Sequence, residues 1–228
     1  HRAGRQGRTA PSEPLPNHAW RSFAEAWTGK VRIKELASQL TTNSGTTRLE
    51  LHGQQITAEK CQALADALNS NRTVIRVDLK YNYIGDQDAK ALADALKSNR
   101  TVTHVNLDYN EIGDEGAKAF ADALKSNCTV TYVNLYGNSI GDQGAKALAH
   151  ALKSNCTVAD MDLGFNEIGK EGAKALADAL QSNKTVTYIN LDGNKIGDEG
   201  AKARRCPRGS LQLAVSTPLV PERHSQMP

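Results

Sequence analysis

Hydrophobic and polar positions alternate in two different ways within a unit of 28 residues that recurs along the middle of the chain. In the unit at 101–128, Val105 and Leu107 stand between polar residues, and this period of two predicts a short strand. Later in the same unit, apolar residues follow the i, i+3, i+4, i+7 spacing that is typical of an amphipathic helix. They are Ala117, Phe120, Ala121 and Leu124. Each unit is therefore predicted to hold one strand followed by one helix.

Five full units and one partial unit follow one another without insertions. They occupy 45–72, 73–100, 101–128, 129–156, 157–184 and 185–203. Residues 17–44 are expected to form an N-terminal cap with a degraded half repeat, because a terminal unit needs its open core covered. Residues 1–16 are predicted to be a disordered basic tail. Residues 204–228 are expected to be disordered or translated out of frame, because Arg204 to Pro207 replace the Leu-Ala-Asp-Ala that the repeat requires.

A single strand with a single helix cannot bury its own apolar surface, so neighbouring units are expected to stack. Because a helix is about 10 Å wide and strands are about 4.8 Å apart, the stack must curve with its strands on the inside. The predicted fold class is α/β. It is a right-handed curved solenoid of strand–helix units, with a parallel sheet on the concave face and helices on the convex face.

The run VxxVNLxxNxIGDEGAKALADALKSN resembles the leucine-rich repeat, specifically the long ribonuclease-inhibitor-like type with a full helix in each unit. It is most similar to the arrays of nucleotide-binding, leucine-rich-repeat (NLR) innate immune receptors that contain a CARD. The resemblance implies a ladder of asparagines whose amides satisfy backbone groups of adjoining turns. The ladder residues would be Asn82, Asn110, Asn138, Asn166 and Asn194, with Gln54 at this position in the first unit.

The net charge of +3 is the sum of unlike segments. Residues 45–202 carry seventeen Lys and Arg against twenty-one Asp and Glu, and the segments on either side are basic. An acidic centre repels a polyanion, so nucleic acid is disfavoured as a partner. Mean hydropathy is -0.52. No window offers the roughly 20 consecutive apolar residues of a membrane span, so no membrane partner is expected.

No catalytic residue, cofactor or metal ligand is predicted. The chain has no HExxH or GxSxG sequence and no complete phosphate-binding loop. The cysteines have neither CxxC spacing nor His partners at the distances of a zinc site. They are Cys61, Cys128, Cys156 and Cys206. Unpaired thiols are typical of a reducing compartment, so a cytoplasmic protein is predicted.

Five N-x-T sequences leave two interpretations open. They begin at Asn71, Asn99, Asn127, Asn155 and Asn183. They could be glycosylation acceptors on one rim of the solenoid. Alternatively, Asn ends the helix and Thr opens the strand because the turn between them requires these residue types. The second interpretation is favoured.

Alternation along each strand places three rows of side chains on the concave surface, where they differ from unit to unit. The first row is Arg48, Arg76, His104, Tyr132, Asp160 and Tyr188. The second row is Glu50, Asp78, Asn106, Asn134, Asp162 and Asn190. The third row is His52, Lys80, Asp108, Tyr136, Gly164 and Asp192. Apart from Gly164, the members from Arg76 onward are the predicted partner-binding residues.

These features predict a non-enzymatic module that binds a protein partner on its concave face, because exposed tyrosines concentrate at binding hot spots. The resemblance implies the sensing or regulatory array of an NLR-like receptor. Two alternatives stay open: a GTPase-activating protein of the Ran type, which has the same kind of repeat, and a truncated array without independent function. The oligomeric state is not predicted.

Overall fold

The computed structural model describes residues 33–41, 45–197 and 212–214. Its helices are α1 (Ile33–Thr41), α2 (Ala58–Ser70), α3 (Asp86–Ser98), α4 (Asp114–Ser126), α5 (Asp142–Ser154) and α6 (Lys170–Ser182). Its strands are β1 (Arg48–Glu50), β2 (Arg76–Asp78), β3 (His104–Asn106), β4 (Tyr132–Asn134), β5 (Asp160–Asp162), β6 (Tyr188–Asn190) and β7 (Gln212–Ala214). The predicted basic tail, most of the predicted cap and most of the last 25 residues lie outside the described ranges.

All strands belong to one parallel sheet in which each strand pairs with its neighbours in chain order. The register joins equivalent positions, so that His104 pairs with Tyr132 and Tyr132 with Asp160. Consecutive helices pack against one another on the other side of the units. The predicted curved solenoid is confirmed. Within the described residues, no helix is both long enough and apolar enough to cross a bilayer.

One continuous apolar core runs between the sheet and the helices. The strand positions that the alternation assigned to the interior are buried in every unit, as Val105, Val133 and Ile189 show. The helices contribute mainly alanine and leucine, and the small alanines let them lie close to the sheet. Phe120 occupies a leucine position of α4 and is also fully buried. The rows between these positions are consequently left on the concave face.

A first set of asparagines lies in the turns that follow the strands. The amide of Asn110 donates to the carbonyls of Leu79, in the preceding unit, and Leu107, and its oxygen accepts the N–H groups of Asn82 and Ile84. Asn82, Asn138 and Asn166 make the same kind of contacts and are buried. In the first unit Gln54 occupies this position, and its backbone N–H donates to the Asn82 side-chain oxygen at 2.8 Å. These bonds join consecutive turns.

A second set of asparagines, at the opposite ends of the strands, joins the units just as closely. Asn127 is 2% exposed, and its amide donates to the carbonyls of Leu96 and Asn99. Its oxygen accepts the N–H groups of Thr129 and Val130 at 2.8 Å each. The equivalent residues Asn71, Asn99, Asn155 and Asn183 are buried as well. In the folded protein the asparagine of every N-x-T sequence is thus a buried turn residue, as the favoured interpretation required.

Aspartates at the helix starts form a third connection between units. The Oδ1 atom of Asp114 accepts the N–H groups of Gly141 and Gly144, which begin the next helix, at 2.8 and 2.7 Å. Asp86 and Asp142 do the same one unit earlier and one unit later. Each of these aspartates begins its own helix, but the helix that it caps is the following one. A carboxylate at a helix N-terminus is favourable both as an acceptor and against the helix dipole.

The ends of the array lack this connection. Ala58 occupies the aspartate position in the first unit, and α3 is capped within its own unit, where the Gly85 N–H donates to the Asp88 carboxylate at 3.4 Å. Lys170 occupies the position in the fifth unit and cannot accept a hydrogen bond. The fifth unit therefore has no aspartate at this position.

Strand β7 corrects the expectation that the C-terminal segment has no structure. Gln212–Ala214 extend the sheet beyond β6, with Leu213 beside Ile189. The sequence reason is a short apolar alternation around Leu213, and the structural reason is that the edge of β6 offers unpaired backbone groups. These three residues are paired in the sheet, and the expectation that 204–228 are disordered or translated out of frame stays a prediction for the rest of the segment.

Candidate functional site

The three rows lie on the concave face but differ in exposure. Arg48, Arg76 and Glu50 are exposed, and most of the other members are half-buried. Asn190 is buried, at 8% exposed, although it was predicted to contact a partner. Its oxygen accepts the Asp192 N–H, and its side chain bonds to the Asp162 carboxylate. Asn190 therefore supports the last strand of the array rather than facing outward.

The second row has a backbone role in every unit from the second onward. The side-chain oxygen at this position accepts the N–H group two residues later, as Asn134 does from Tyr136 at 2.9 Å and Asp162 from Gly164 at 2.9 Å. Asp78 and Asn106 form the same turn. This contact restricts the position to Asp or Asn, because only these side chains have the required length. The residues that can vary for a partner are thus those of the first and third rows.

A slot after the third row has a left-handed backbone in all six units. Gly53, Gly137 and Gly193 have φ between 65° and 70°, as glycine allows at no steric cost. The other three units place aromatic residues there, with φ of 58° at Tyr81, 49° at Tyr109 and 50° at Phe165. For a bulky side chain this conformation costs about 1–2 kcal/mol. The aromatic rings must recover that free energy through their contacts.

These rings form a continuous stripe along the solenoid. The Tyr81 and Tyr109 rings are stacked with centroids 4.9 Å apart, and Tyr109 meets the edge of Tyr136 at 5.3 Å. Tyr136 lies 5.0 Å from Phe165. Tyr136 comes from the third row, one residue before the glycine of its own unit, and so continues the stripe where the slot itself has no side chain. We define Tyr81, Tyr109, Tyr136 and Phe165 as the aromatic stripe.

The glycines of the slot make room for the neighbouring rings. A Cβ atom on Gly137 would lie 2.7 Å from Cδ1 of Tyr109, and one on Gly193 would lie 2.8 Å from Cδ2 of Phe165. In the third row, a Cβ on Gly164 would lie 2.8 Å from Cδ2 of Tyr136. Each ring therefore lies over the backbone of the next unit.

Sequence reasoning named only Tyr136 of the stripe as a site residue. It did not name Tyr81, Tyr109 or Phe165 as site residues. A signal was present, because the slot contains Gly, Tyr, Tyr, Gly, Phe and Gly in successive units. Alternation between glycine and aromatic residues at one repeat position indicates a left-handed backbone with large neighbours.

Carboxylates surround the tyrosines in the C-terminal half of the concave face. Burial raises the pKa of Tyr132, and the charges of Asp162, Asp108 and Asp160 raise it further. The pKa of Tyr188 is raised by burial and then by Asp162, Asp192 and Asp160. Both phenols consequently remain protonated at neutral pH. On the other side of Tyr132, the His104 ring stacks at 5.6 Å, and burial followed by the Arg76 charge lowers the His104 pKa.

Asp108 is the most strongly perturbed acid of the concave face. Its Oδ1 atom is buried without a hydrogen-bond partner among the described residues. Burial raises its pKa to about 7, the Lys80 charge opposes the shift, and the charges of Asp162 and Asp78 add to it. The folded protein therefore holds this proton up to about pH 7, whereas an unfolded aspartate releases it near pH 4.

Asp108→Asn is expected to stabilise the protein in alkaline but not in acidic solution. Between pH 4 and pH 7 the folded state binds the extra proton, so the contribution of Asp108 to stability falls as the pH rises through this window. At pH 8 the variant should be more stable by about 1–2 kcal/mol, a figure reduced for partial exposure, and at pH 4 nearly equal. Urea unfolding at both pH values measures the difference. A difference that does not change with pH would contradict the buried charge.

The cysteines offer no ligand cluster. Cys61 is buried, and burial followed by the Asp88 charge raises its thiol pKa to about 12. Cys128 and Cys156 are exposed at equivalent positions of adjacent units and are not joined in a disulfide. Over the ranges that the structure describes, no group of three or more metal-ligating side chains comes together.

Comparison with known proteins adds a family and a set of similar structures. The family described as "Leucine Rich repeat" matches five segments, 70–93, 98–121, 126–149, 154–177 and 182–203, which together cover more than half of the chain. No curated protein matches. Among solved structures, leiomodin-1 actin-binding site 2 is 29% identical with a TM-score of 0.55, covering 57% of this chain and 78% of that one.

A second solved structure is the C-terminal domain of tropomodulin from Caenorhabditis elegans. It is 13% identical with a TM-score of 0.56, and the similarity covers 67% of this chain and 93% of that one. At this identity the likeness concerns the fold alone.

Proposed function

The chain belongs to the leucine-rich-repeat family, and from this premise we propose that it is a non-enzymatic module that binds a protein partner on its concave face. One observation carries the proposal. The pair of residues that the first and third rows supply is different in each of the six units, whereas the buried positions and the three hydrogen-bonded connections between units stay nearly the same. Side chains that vary on a constant, stacked framework are typical of a surface shaped for recognition.

The tyrosines give this surface its binding capacity. Tyr132, Tyr136 and Tyr188 are half-buried, so each ring is held by its neighbours while part of it remains accessible. Such rings contribute contact area and a hydroxyl group at little entropic cost, as expected of hot-spot residues. Partner contacts would come from Arg76, Lys80, His104, Asp108, Tyr132, Tyr136, Asp160, Tyr188 and Asp192. In this proposal the second-row residues shape the strand ends and contribute less directly.

Actin is a second candidate partner because of one comparison. The leiomodin-1 structure that resembles this chain is named as an actin-binding site, and its 29% identity exceeds a likeness of fold alone. A role in an NLR-like receptor, as the sequence resemblance implied, stays a prediction, and neither solved structure named above is such a receptor. Ran-type GTPase activation and an array without independent function also stay open and are ranked lower.

Tyr132→Ala combined with Tyr136→Ala is expected to weaken partner binding at least tenfold without loss of helicity. The two residues supply adjacent aromatic contacts on the concave face, and neither belongs to the buried core. The measurement is capture of partners from a lysate, together with co-sedimentation with actin filaments, for the wild type and the double variant. A matched control changes the convex face of the same unit, with Lys146→Ala and Lys153→Ala, both exposed on α5.

The outcome separates the candidates. A protein that is retained by the convex control and lost by the tyrosine variant supports concave binding, and co-sedimentation with the same pattern identifies actin. Equal retention of every captured protein by all three chains would contradict the proposal.

A further inference from the structure

One part of the first row places a carboxylate between two tyrosines. In the first row, Asp160 lies between Tyr132 and Tyr188, and the sheet register makes them direct neighbours. The two tyrosines are two strand spacings apart, which is about 9.6 Å. Aspartate is much shorter than tyrosine, so the three side chains form a gap with aromatic walls and a carboxylate at its base. We define Tyr132, Asp160, Asp162 and Tyr188 as the notch.

The charges of the notch are not balanced by the described residues. Neither Asp160 nor Asp162 forms an ion pair with a described lysine or arginine. The Asp160 carboxylate receives one long hydrogen bond, from the Thr187 hydroxyl at 3.4 Å. The cations of the concave face lie in the first two units, at Arg48, Arg76 and Lys80, so the C-terminal half is acidic. A partner that covers the notch must supply positive charge, since burying unpaired carboxylates is costly.

The environment of the aromatic walls favours one orientation of a ligand. His104 stacks on one side of the Tyr132 ring, which leaves its other side toward the neighbouring unit and Asp160. The same carboxylates, those of Asp160 and Asp162, act electrostatically on both phenols. A planar cation between the rings would therefore meet aromatic faces and carboxylates together. Cation–π contact and a charge-assisted hydrogen bond then act on one group.

We propose that the notch binds an arginine side chain within a basic segment of the protein partner. Arginine fits better than lysine because its guanidinium is planar, stacks on aromatic rings and pairs with a carboxylate in two places. This inference rests on the proposed protein-binding function and specifies the chemistry of the partner. It also predicts that recognition is electrostatic and weakens with salt.

Fluorescence anisotropy with labelled twelve-residue peptides tests the proposal on the full chain. The probes alternate glycine with arginine, with lysine or with glutamine. The arginine peptide is expected to bind at least tenfold more tightly than the glutamine peptide and several-fold more tightly than the lysine peptide. Its affinity should fall at least fivefold between 50 and 300 mM salt.

The double variant Asp160→Asn with Asp162→Asn is expected to bind the arginine peptide at least tenfold more weakly than the wild type. The fold tolerates Asp162→Asn, because asparagine already occupies the second row in three other units and keeps the hydrogen bond to the backbone. Asp160 accepts only the long hydrogen bond from Thr187 among the described residues, and asparagine keeps an oxygen that can accept it. The matched control is Glu171→Gln with Asp178→Asn, which removes the same charge from α6 of the same unit on the convex face. The control should bind like the wild type.

Two results would overturn the inference. Equal affinity for the arginine and glutamine peptides would show that positive charge does not drive binding. An equal loss of affinity in the concave and convex variants would show that the peptide does not bind at the notch. If no peptide binds while capture of a partner still depends on Tyr132 and Tyr136, the proposal that the notch binds arginine is wrong and the proposed binding function of the concave face stands. Loss of both dependences would contradict the proposed function itself.

Discussion

Replacing Asn127 by alanine should lower the free energy of unfolding by about 3–5 kcal/mol, one of the two largest effects that we expect from any single change in the array. The side chain takes part in five hydrogen bonds. Its amide donates to two carbonyls of the preceding unit, and its oxygen accepts the N–H groups of Thr129 and Val130 and the hydroxyl of Thr129. Alanine leaves these groups buried without partners, and each such group costs about 1–3 kcal/mol. Chemical denaturation followed by circular dichroism measures the change.

The control for this substitution lies next to it in the same turn. Cys128→Ala alters an exposed side chain whose one described hydrogen bond is a 3.7 Å contact to the Ser126 carbonyl. It should change the stability by less than about 0.5 kcal/mol. If Asn127→Ala were as mild as Cys128→Ala, the second set of asparagines would not join the units.

Gly144→Ala should destabilise the protein by about 2–4 kcal/mol, although alanine is the better helix former by about 1 kcal/mol. The new Cβ would lie 2.8 Å from each of three atoms, Oδ1 of Asp114, Cβ of Ala117 and Cγ2 of Ile140. Asp114 and Ala117 belong to the preceding unit, and Ile140 lies in the turn before the same helix. The close contacts with the preceding unit can therefore be relieved only if the two units move apart. The close approach that lets Asp114 cap the next helix thus excludes every side chain at this position.

Gly85 is the natural comparison, because a Cβ there would meet nothing within 4 Å. Gly85→Ala should therefore cost far less than Gly144→Ala. A double-mutant cycle with Asp114→Ala separates the causes, since removing the carboxylate should recover part of the loss at Gly144. Additive effects of the two changes would contradict the capping arrangement, and a stabilising Gly144→Ala would show that helix propensity decides at this site.

The repeat made the framework predictable from sequence. Val105, Phe120 and Leu124 could be assigned to the core because six copies of one period agree, and a unit that cannot bury its own surface must stack. The positions of the three rows follow from the same alternation. In this part of the chain, the local pattern of apolar residues and the packing between units assign the same residues to the core.

Contacts between units were harder to predict because they join residues that are 26 to 31 positions apart in sequence. Nothing in the local sequence indicates that Asp114, at the start of its own helix, reaches Gly141 and Gly144 of the next unit. The role of the second set of asparagines in joining the units was not predicted for a different reason. The sequence Asn127-Cys128-Thr129 has a well-known alternative meaning, and only burial distinguishes a turn residue from a glycosylation acceptor.

The candidate surface was predicted in outline and needed correction in detail. The tyrosines of the first row are where the alternation placed them, half-buried on the concave face. Asn190 was wrong as an outward residue, because the fold uses its side chain for a turn and for Asp162. Phe165 was missed, since its contribution depends on a left-handed backbone and on a ring from the neighbouring unit.

Amide hydrogen exchange on the intact chain tests the stacking of the units most directly. The informative amides are those of Leu107, Leu135 and Leu163, which bond to the following strand, and those of Gly141 and Gly169, which bond to an aspartate of the preceding unit. If the units share one interior, these amides should exchange together, at a rate set by unfolding of the whole array. Rapid exchange at the glycines and strand leucines, with protection confined to the helices, would contradict that shared interior.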